Sequence, residues 1–196
     1  MTLTTKLAIA TEKNILDVIT SRRSLRSYAP TALASEQIET LFEAARWAPS
    51  SMNEQPWRFL YATKDQPELW SKIFDSLADA NKVWAKEAPL LIVCMSRNTF
   101  TRNDRPNPTA GYDLGSATAF LSLQATALGL NVHQMGGYNR EALRISLNIP
   151  SLYDPFVVMA IGFSGIPNSL PENLKERELA PRSRRPLSEF VMNQPF

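Results

Sequence analysis

The chain has 196 residues, 44% of them hydrophobic and 20% charged, with a formal net charge of +2; this excludes a wholly disordered protein and is too mild to demand a nucleic-acid or anionic-membrane partner. One cysteine and one histidine exclude an internal disulfide, most metal sites and any Ser-His or Cys-His engine that does not use His133. Glycine is scarce, at 7 residues, and no G-x-G-x-x-G or G-x-x-x-x-G-K-S/T motif occurs, so a bound phosphate would have to be held by side chains rather than a glycine-rich turn.

Residues 1–13 are polar and lack an apolar signal region, and no apolar run approaches the ~20 residues of a membrane span. A soluble cytoplasmic protein is therefore expected. Asn14 predicts a helix N-cap ahead of Ile15, Leu16, Val18 and Ile19, and the helix runs into Arg22-Arg23-Ser24-Leu25-Arg26. Ser35 predicts the cap of a second helix, with Ile38, Leu41, Phe42 and Ala45 on one face and Pro49 as its stop. Trp57–Thr63 reads as a strand. Pro67 opens a helix with Trp70, Ile73, Phe74 and Leu77 on one side. The run Pro89–Ser96 has the length and unbroken apolarity of a central strand, and Cys94 within it reads as a buried structural thiol.

A polar loop, Arg97–Tyr112, precedes a helix from an Asp113 cap through Leu128, apolar or small on nearly every side. Such a helix must be covered all round, which in a chain this small points to a second subunit. Gly129 predicts its C-cap. Asn131–Met135 predicts a strand, Asn139 a capped helix to Leu147, and Phe156–Phe163 a last buried strand. Helices on both faces of a four-stranded sheet fit this order, as a three-layer sandwich in a single domain. Ile166–Phe196, with five prolines, cannot build its own core. It is either a loose tail or an arm draped over a surface.

Four segments carry candidate chemistry. Arginines 22, 23 and 26 with Ser24 offer bidentate phosphate donors, although basic residues also complement a helix C-terminus. Arg182-Ser183-Arg184-Arg185 is a second such cluster, or a solvated basic turn. The stiff loop Ala48–Trp57 presents Asn53 and Gln55, whose amides suit either a planar heterocycle or the local backbone. Met135-Gly136-Gly137 ends a strand with paired glycines, as a flat ligand or a tight turn would require.

RRSLR at 22–26, APSSMNEQPW at 48–57, ALGL at 127–130, MGG at 135–137 and PRSRRPLSEFV at 181–191, in that order, resemble the FMN-dependent nitroreductase family over nearly the whole chain. The resemblance implies an α+β, three-layer α/β/α fold whose four-stranded sheet is extended by the partner's C-terminal segment. It implies a homodimer holding FMN at the subunit interface. Arg22, Arg23, Ser24 and Arg26 would hold the phosphate and ribityl end, completed by Arg182 and Arg184. Pro49, Ser50, Ser51, Asn53 and Gln55 would reach the flavin from the other subunit. Met135, Gly136 and Gly137 would lie beside the reactive N5 edge, with Asn81 nearby. Segment 166–196 would wrap the partner.

The implied reaction is hydride transfer from NADH or NADPH through flavin N5 to a nitroaromatic, quinone or similar acceptor, in a ping-pong cycle that needs no catalytic His, Cys or carboxylate pair. Two features depart from the family: the proline-bearing 97–112 loop replaces a longer helical excursion, and Gly136 stands where some members carry an acidic residue. Reductive dehalogenation and flavin fragmentation on the same scaffold are alternatives. A non-enzymatic anion or nucleic-acid binder is another, set against a nearly even charge balance over residues 166–196.

Overall fold

The computed structural model describes residues 13–195. The N-terminal stretch read above as lacking a signal region lies outside them, save Lys13, as does Phe196. No helix among the described residues is long and apolar enough to cross a membrane.

Four strands, β1 (Trp57–Thr63), β2 (Leu90–Arg97), β3 (Leu130–Met135) and β4 (Tyr153–Phe163), form one sheet in the order β1-β2-β4-β3. Every pairing is antiparallel, with Cys94 opposite Phe59 in β1 and Val157 in β4. Side chains alternate between two cores, as the pleat requires. Leu90, Ile92 and Cys94 join Met159 and Ile161 on one face, under α2 (Ser35–Arg46) and α5 (Ala110–Ala127). Leu91, Val93 and Met95 join Val158 and Ala160 on the other. There α3 (Pro67–Asp75), α4 (Asp79–Ala85) and α6 (Arg140–Ser146) cover them with Ile73, Trp84 and Leu143. The expected three-layer α+β sandwich is what forms.

The boundaries differ locally from expectation. Asn14 does not cap the first helix: α1 is only Asp17–Ser21, since Leu16 at its N-cap is still extended (ψ 132°) and Arg22 at its end is extended again (ψ 128°). Ser35 is the first residue inside α2 rather than its cap, and Gln37 Oε1 accepts from the Ala34 N–H at 2.9 Å. Asp113 is not a cap either. Helix α5 begins at Ala110, which places Asp113 one turn in with its carboxylate buried. Asn139 does cap α6, accepting from the Ala142 N–H at 3.0 Å. Gly129 takes φ +73° at the end of α5, the left-handed geometry that favours glycine there.

Two helices have no counterpart in the sequence reading, α4 and α7 (Glu172–Leu179). Both are short, and their apolar residues are too few to show a period. Helix α7 divides the C-terminal segment. Leu170 and Leu174 pack against the core, whereas Leu187, Phe190 and Val191 are 59–63% exposed.

Candidate functional site

The chain ends meet beside edge strand β3. His133 in β3 donates from Nδ1 to the Leu25 carbonyl at 3.1 Å. Tyr28 bridges to Ser164 just past β4, its hydroxyl donating to the Ala160 carbonyl at 2.9 Å. Segment 22–28 is thereby pinned from the end of β4, at Tyr28, to His133 in β3, at Leu25. Segment 178–184 is laced to it from both sides. Arg23 Nη2 donates to the Glu178 and Ala180 carbonyls, both at 2.9 Å. The Arg182 guanidinium donates to the Thr20 and Arg22 carbonyls. Glu178, 3% exposed, accepts from the Arg26 N–H on both oxygens at 3.0 and 2.9 Å. Its Oε1 also accepts the Ser27 N–H and hydroxyl at 2.9 and 2.7 Å.

The result is a cluster of four guanidinium groups, Arg22, Arg23, Arg182 and Arg184. Among the described residues, no carboxylate lies within ion-pair distance of any of them. Burial, then the neighbouring Arg184, pushes Arg22 below the ordinary guanidinium range. Burial followed by Arg184, Arg23 and Arg22 does the same to Arg182. Arg23 Nη1 and Arg182 Nε are shielded from water and have no protein acceptor. Like charges gathered around unspent donors suit a multiply charged anion, and planar guanidinium forks match phosphate oxygens. Ser24 is exposed beside them and accepts from Arg22 Nη1 at 3.2 Å. Arg26 stands apart: its charged neighbours are Arg177 and Glu178, and it lines a groove with Trp84, Lys86 and Leu170.

The loop between α2 and β1 is strained. Met52, Asn53 and Gln55 all have positive φ, at 56°, 55° and 52°, a conformation that costs a non-glycine residue on the order of 1 kcal/mol. Three anchors hold it. Buried Asp113 accepts the Ser51 N–H at 3.2 Å, Ser50 Oγ accepts the Gln55 N–H at 3.0 Å, and Glu54 accepts the Thr101 N–H at 2.7 Å. Gln55 Nε2 donates to the Asn53 carbonyl and Oδ1, both at 3.2 Å, so the two amides partly satisfy each other at the exposed tip. Pro49 is exposed at the loop's start.

Strand β3 ends at buried Met135 and exposed Gly136-Gly137. The Gly137 carbonyl accepts from the Ala78 N–H at 3.0 Å and from Asn81 Nδ2 at 2.9 Å. A Cβ on Gly136 would meet nothing within 4 Å. This end of β3 and the start of β1 lie at the same end of the sheet on opposite edges, three strand spacings or about 14 Å apart. The structure thus unites the two arginine clusters. It places Met135–Gly137 at the end of the same strand, just beyond His133 and next to Asn81, and leaves the 49–55 loop on the other edge. Cys94 is fully buried, and burial pushes its thiol up.

Sequence reasoning missed two carboxylates. Asp113 was assigned to a cap when it anchors the strained loop. Glu178 lies on a helix that was not foreseen, although Pro171-Glu172 ahead of Leu174 is a recognisable helix start.

Fold and site together define an α+β sandwich with a basic cradle beside an edge strand and an open glycine pair at that strand's end. Residues 19–163 match the model of the nitroreductase family, and the chain belongs to that family. A solved structure described as an oxidoreductase containing FMN superposes with a TM-score of 0.89, at 33% identity over 95% of each chain. A provisionally named nitroreductase from Desulfovibrio desulfuricans, solved in complex with FMN, gives 0.72 at 26% identity, over 95% of this chain and 99% of its own. An Archaeoglobus fulgidus protein with a provisional NADH dehydrogenase/NAD(P)H nitroreductase name is 31% identical over 152 residues, 76% of this chain and 84% of its own.

Proposed function

We propose that this protein is an NAD(P)H-dependent FMN oxidoreductase that works as a homodimer. The observation that carries the reading is the guanidinium cluster with two buried donors unspent, at Arg23 Nη1 and Arg182 Nε. In this reading Arg22, Arg23, Arg182 and Arg184 hold the FMN phosphate, with Ser24 adding a hydroxyl. Arg26, set apart from that cluster, serves the ribityl side. Met135, Gly136 and Gly137 border the ring edge, where the absence of a Cβ leaves room for a flat ligand and Asn81 steadies the turn. Pro49, Ser50, Ser51, Asn53 and Gln55 reach the ring from the partner subunit, because within one chain they stand on the opposite sheet edge. When bound, the flavin supplies hydride transfer between a reduced nicotinamide and a nitroaromatic, quinone or similar acceptor. The arginines place positive potential along the site, which favours anionic species there.

Cofactor identity is the first test. Flavin released by heat should have the mass of FMN; FAD would contradict a cradle built for a terminal phosphate. Arg22→Ala and Arg184→Ala should each weaken FMN binding roughly 10- to 150-fold, the worth of a charge-assisted contact. Because both act on one dianion, the double variant should depart from additivity by about 0.5 kcal/mol or more. Riboflavin, lacking the phosphate, should be nearly indifferent to either change. Parallel double-reciprocal plots would fit donor and acceptor using the site in turn, and intersecting lines would replace that order with a ternary complex.

A further inference from the structure

Glu178 is a buried carboxylate whose hydrogen bonds all go to the segment that carries the N-terminal arginines. It makes no ion pair among the described residues. Its four short contacts are to the Arg26 N–H, the Ser27 N–H and the Ser27 hydroxyl. An isolated buried charge is expensive unless such donors surround it. The lacing is reciprocal, since Arg23 donates to carbonyls of 178 and 180 and Arg182 to carbonyls of 20 and 22. Each chain segment therefore supplies guanidinium groups and is held by the other's backbone. The same lacing crowds like charges: Arg22 faces Arg184, Arg182 faces Arg184, Arg23 and Arg22, and Arg26 faces Arg177. Repulsion pushes the two segments apart, and Glu178 opposes it with negative charge and backbone contacts.

We propose that Glu178 is the positioning residue of the phosphate cradle, and that docking of segment 178–184 onto segment 22–28 and capture of a phosphate ester are one coupled event. The proposal rests on the functional reading above and adds a linkage to it. A dianion relieves the guanidinium repulsion only when both segments are in place, so its binding energy favours the docked form. The flavin phosphate then does more than anchor the cofactor. It fastens the C-terminal segment that continues into exposed Leu187, Phe190 and Val191.

The test uses the whole chain freed of flavin, and measures FMN and riboflavin affinity by flavin fluorescence alongside tryptic cleavage after Arg182 and Arg184, since Pro186 protects the bond after Arg185. In the unaltered protein FMN should slow cleavage at least 10-fold, millimolar inorganic phosphate partly, and riboflavin little. Glu178→Gln keeps the volume but removes the charge and turns an amide toward backbone donors. It should raise the FMN dissociation constant 10- to 100-fold, leave riboflavin within about 2-fold, and abolish protection by FMN. Ser27→Ala removes one contact and no charge, so it tests the same point in a chain that still folds, with an expected 3- to 5-fold loss for FMN alone. Equal losses for FMN and riboflavin in these variants would make Glu178 merely structural and overturn the proposal. Equal protection by FMN and riboflavin would overturn the coupling. If the unaltered protein bound FMN no better than riboflavin, the phosphate reading itself would fall, a result that the unaltered protein gives before any variant is made.

Discussion

His133 is the one histidine of the chain, so it alone among side chains titrates ordinarily between pH 5 and 6.5. Burial, followed by the charge of Arg26, pushes it down from 6.5 to about 4, against weaker opposing contributions from the Leu25 and Ser24 carbonyls and Glu178. It packs on Trp84, with ring centroids 4.5 Å apart. Between those two values the unfolded chain binds a proton that the folded chain refuses. Stability therefore increases with pH across the window and is lost as pH falls from 6.5 toward 4. The full swing is up to about 3 kcal/mol. Urea midpoints at pH 5 and 6.5 should differ clearly in the unaltered protein and much less in His133→Gln, while identical slopes would show that His133 titrates alike in both states. Its place between Trp84 and the Leu25 carbonyl gives the imidazole a packing role that also holds the arginine segment against β3.

At the scale of elements, the arginine segment depends on how closely residues 27–29 approach residues 163–165. The Ala29 N–H donates to the Phe163 carbonyl and the Gly165 N–H to the Ser27 carbonyl, both at 3.0 Å. A Cβ on Gly165 would come within 2.5 Å of the Tyr28 carbonyl oxygen, and main chain cannot yield as a side-chain tip can. Gly165→Ala should therefore cost about 2 kcal/mol or more in stability, read as a lowered urea midpoint. Gly136→Ala is the contrast. It meets nothing within 4 Å, so the fold should be unmoved while FMN binding weakens roughly 10-fold if the ring lies there. A flavin affinity unchanged in Gly136→Ala would remove this strand end from the site.

On the scale of the whole molecule, the single chain leaves apolar surface that water does not favour. Helix α5 buries Leu114, Ala117, Leu121 and Ala125 against its own sheet, yet Tyr112 is 81% and Phe120 41% exposed on its outer side. Phe120, Leu123 and Ala127 form an apolar groove with Val18, Ala44 and Trp47. Exposed contiguous apolar surface of this kind marks association. Light scattering should find a mass near twice the 22.0 kDa of the chain. Phe120→Asp, or removal of residues 186–196, should shift it toward the single-chain value; a folded 22 kDa species of the unaltered protein at micromolar concentration would contradict the dimer.

What the amino-acid order determined by itself was local or periodic. The strand Trp57–Thr63 is legible to the residue because aromatic side chains at every second position, Trp57, Phe59 and Tyr61, sit between Pro56 and a polar turn. The all-round apolarity of α5 is legible because a helix needs no context to show what surrounds it. The two arginine clusters are also visible, each with two readings. Only the tertiary structure decided that they form one cradle, since their meeting depends on how β3, β4 and an unforeseen α7, which lie between them in sequence, fold them together. It likewise turned Asp113 from a presumed cap into the anchor of a loop with three left-handed residues, and made Glu178 the tie between chain ends. Buried carboxylates of this kind leave no periodic trace in the sequence. Their partners are backbone N–H groups, which every residue but proline carries, so only the fold chooses which ones they meet.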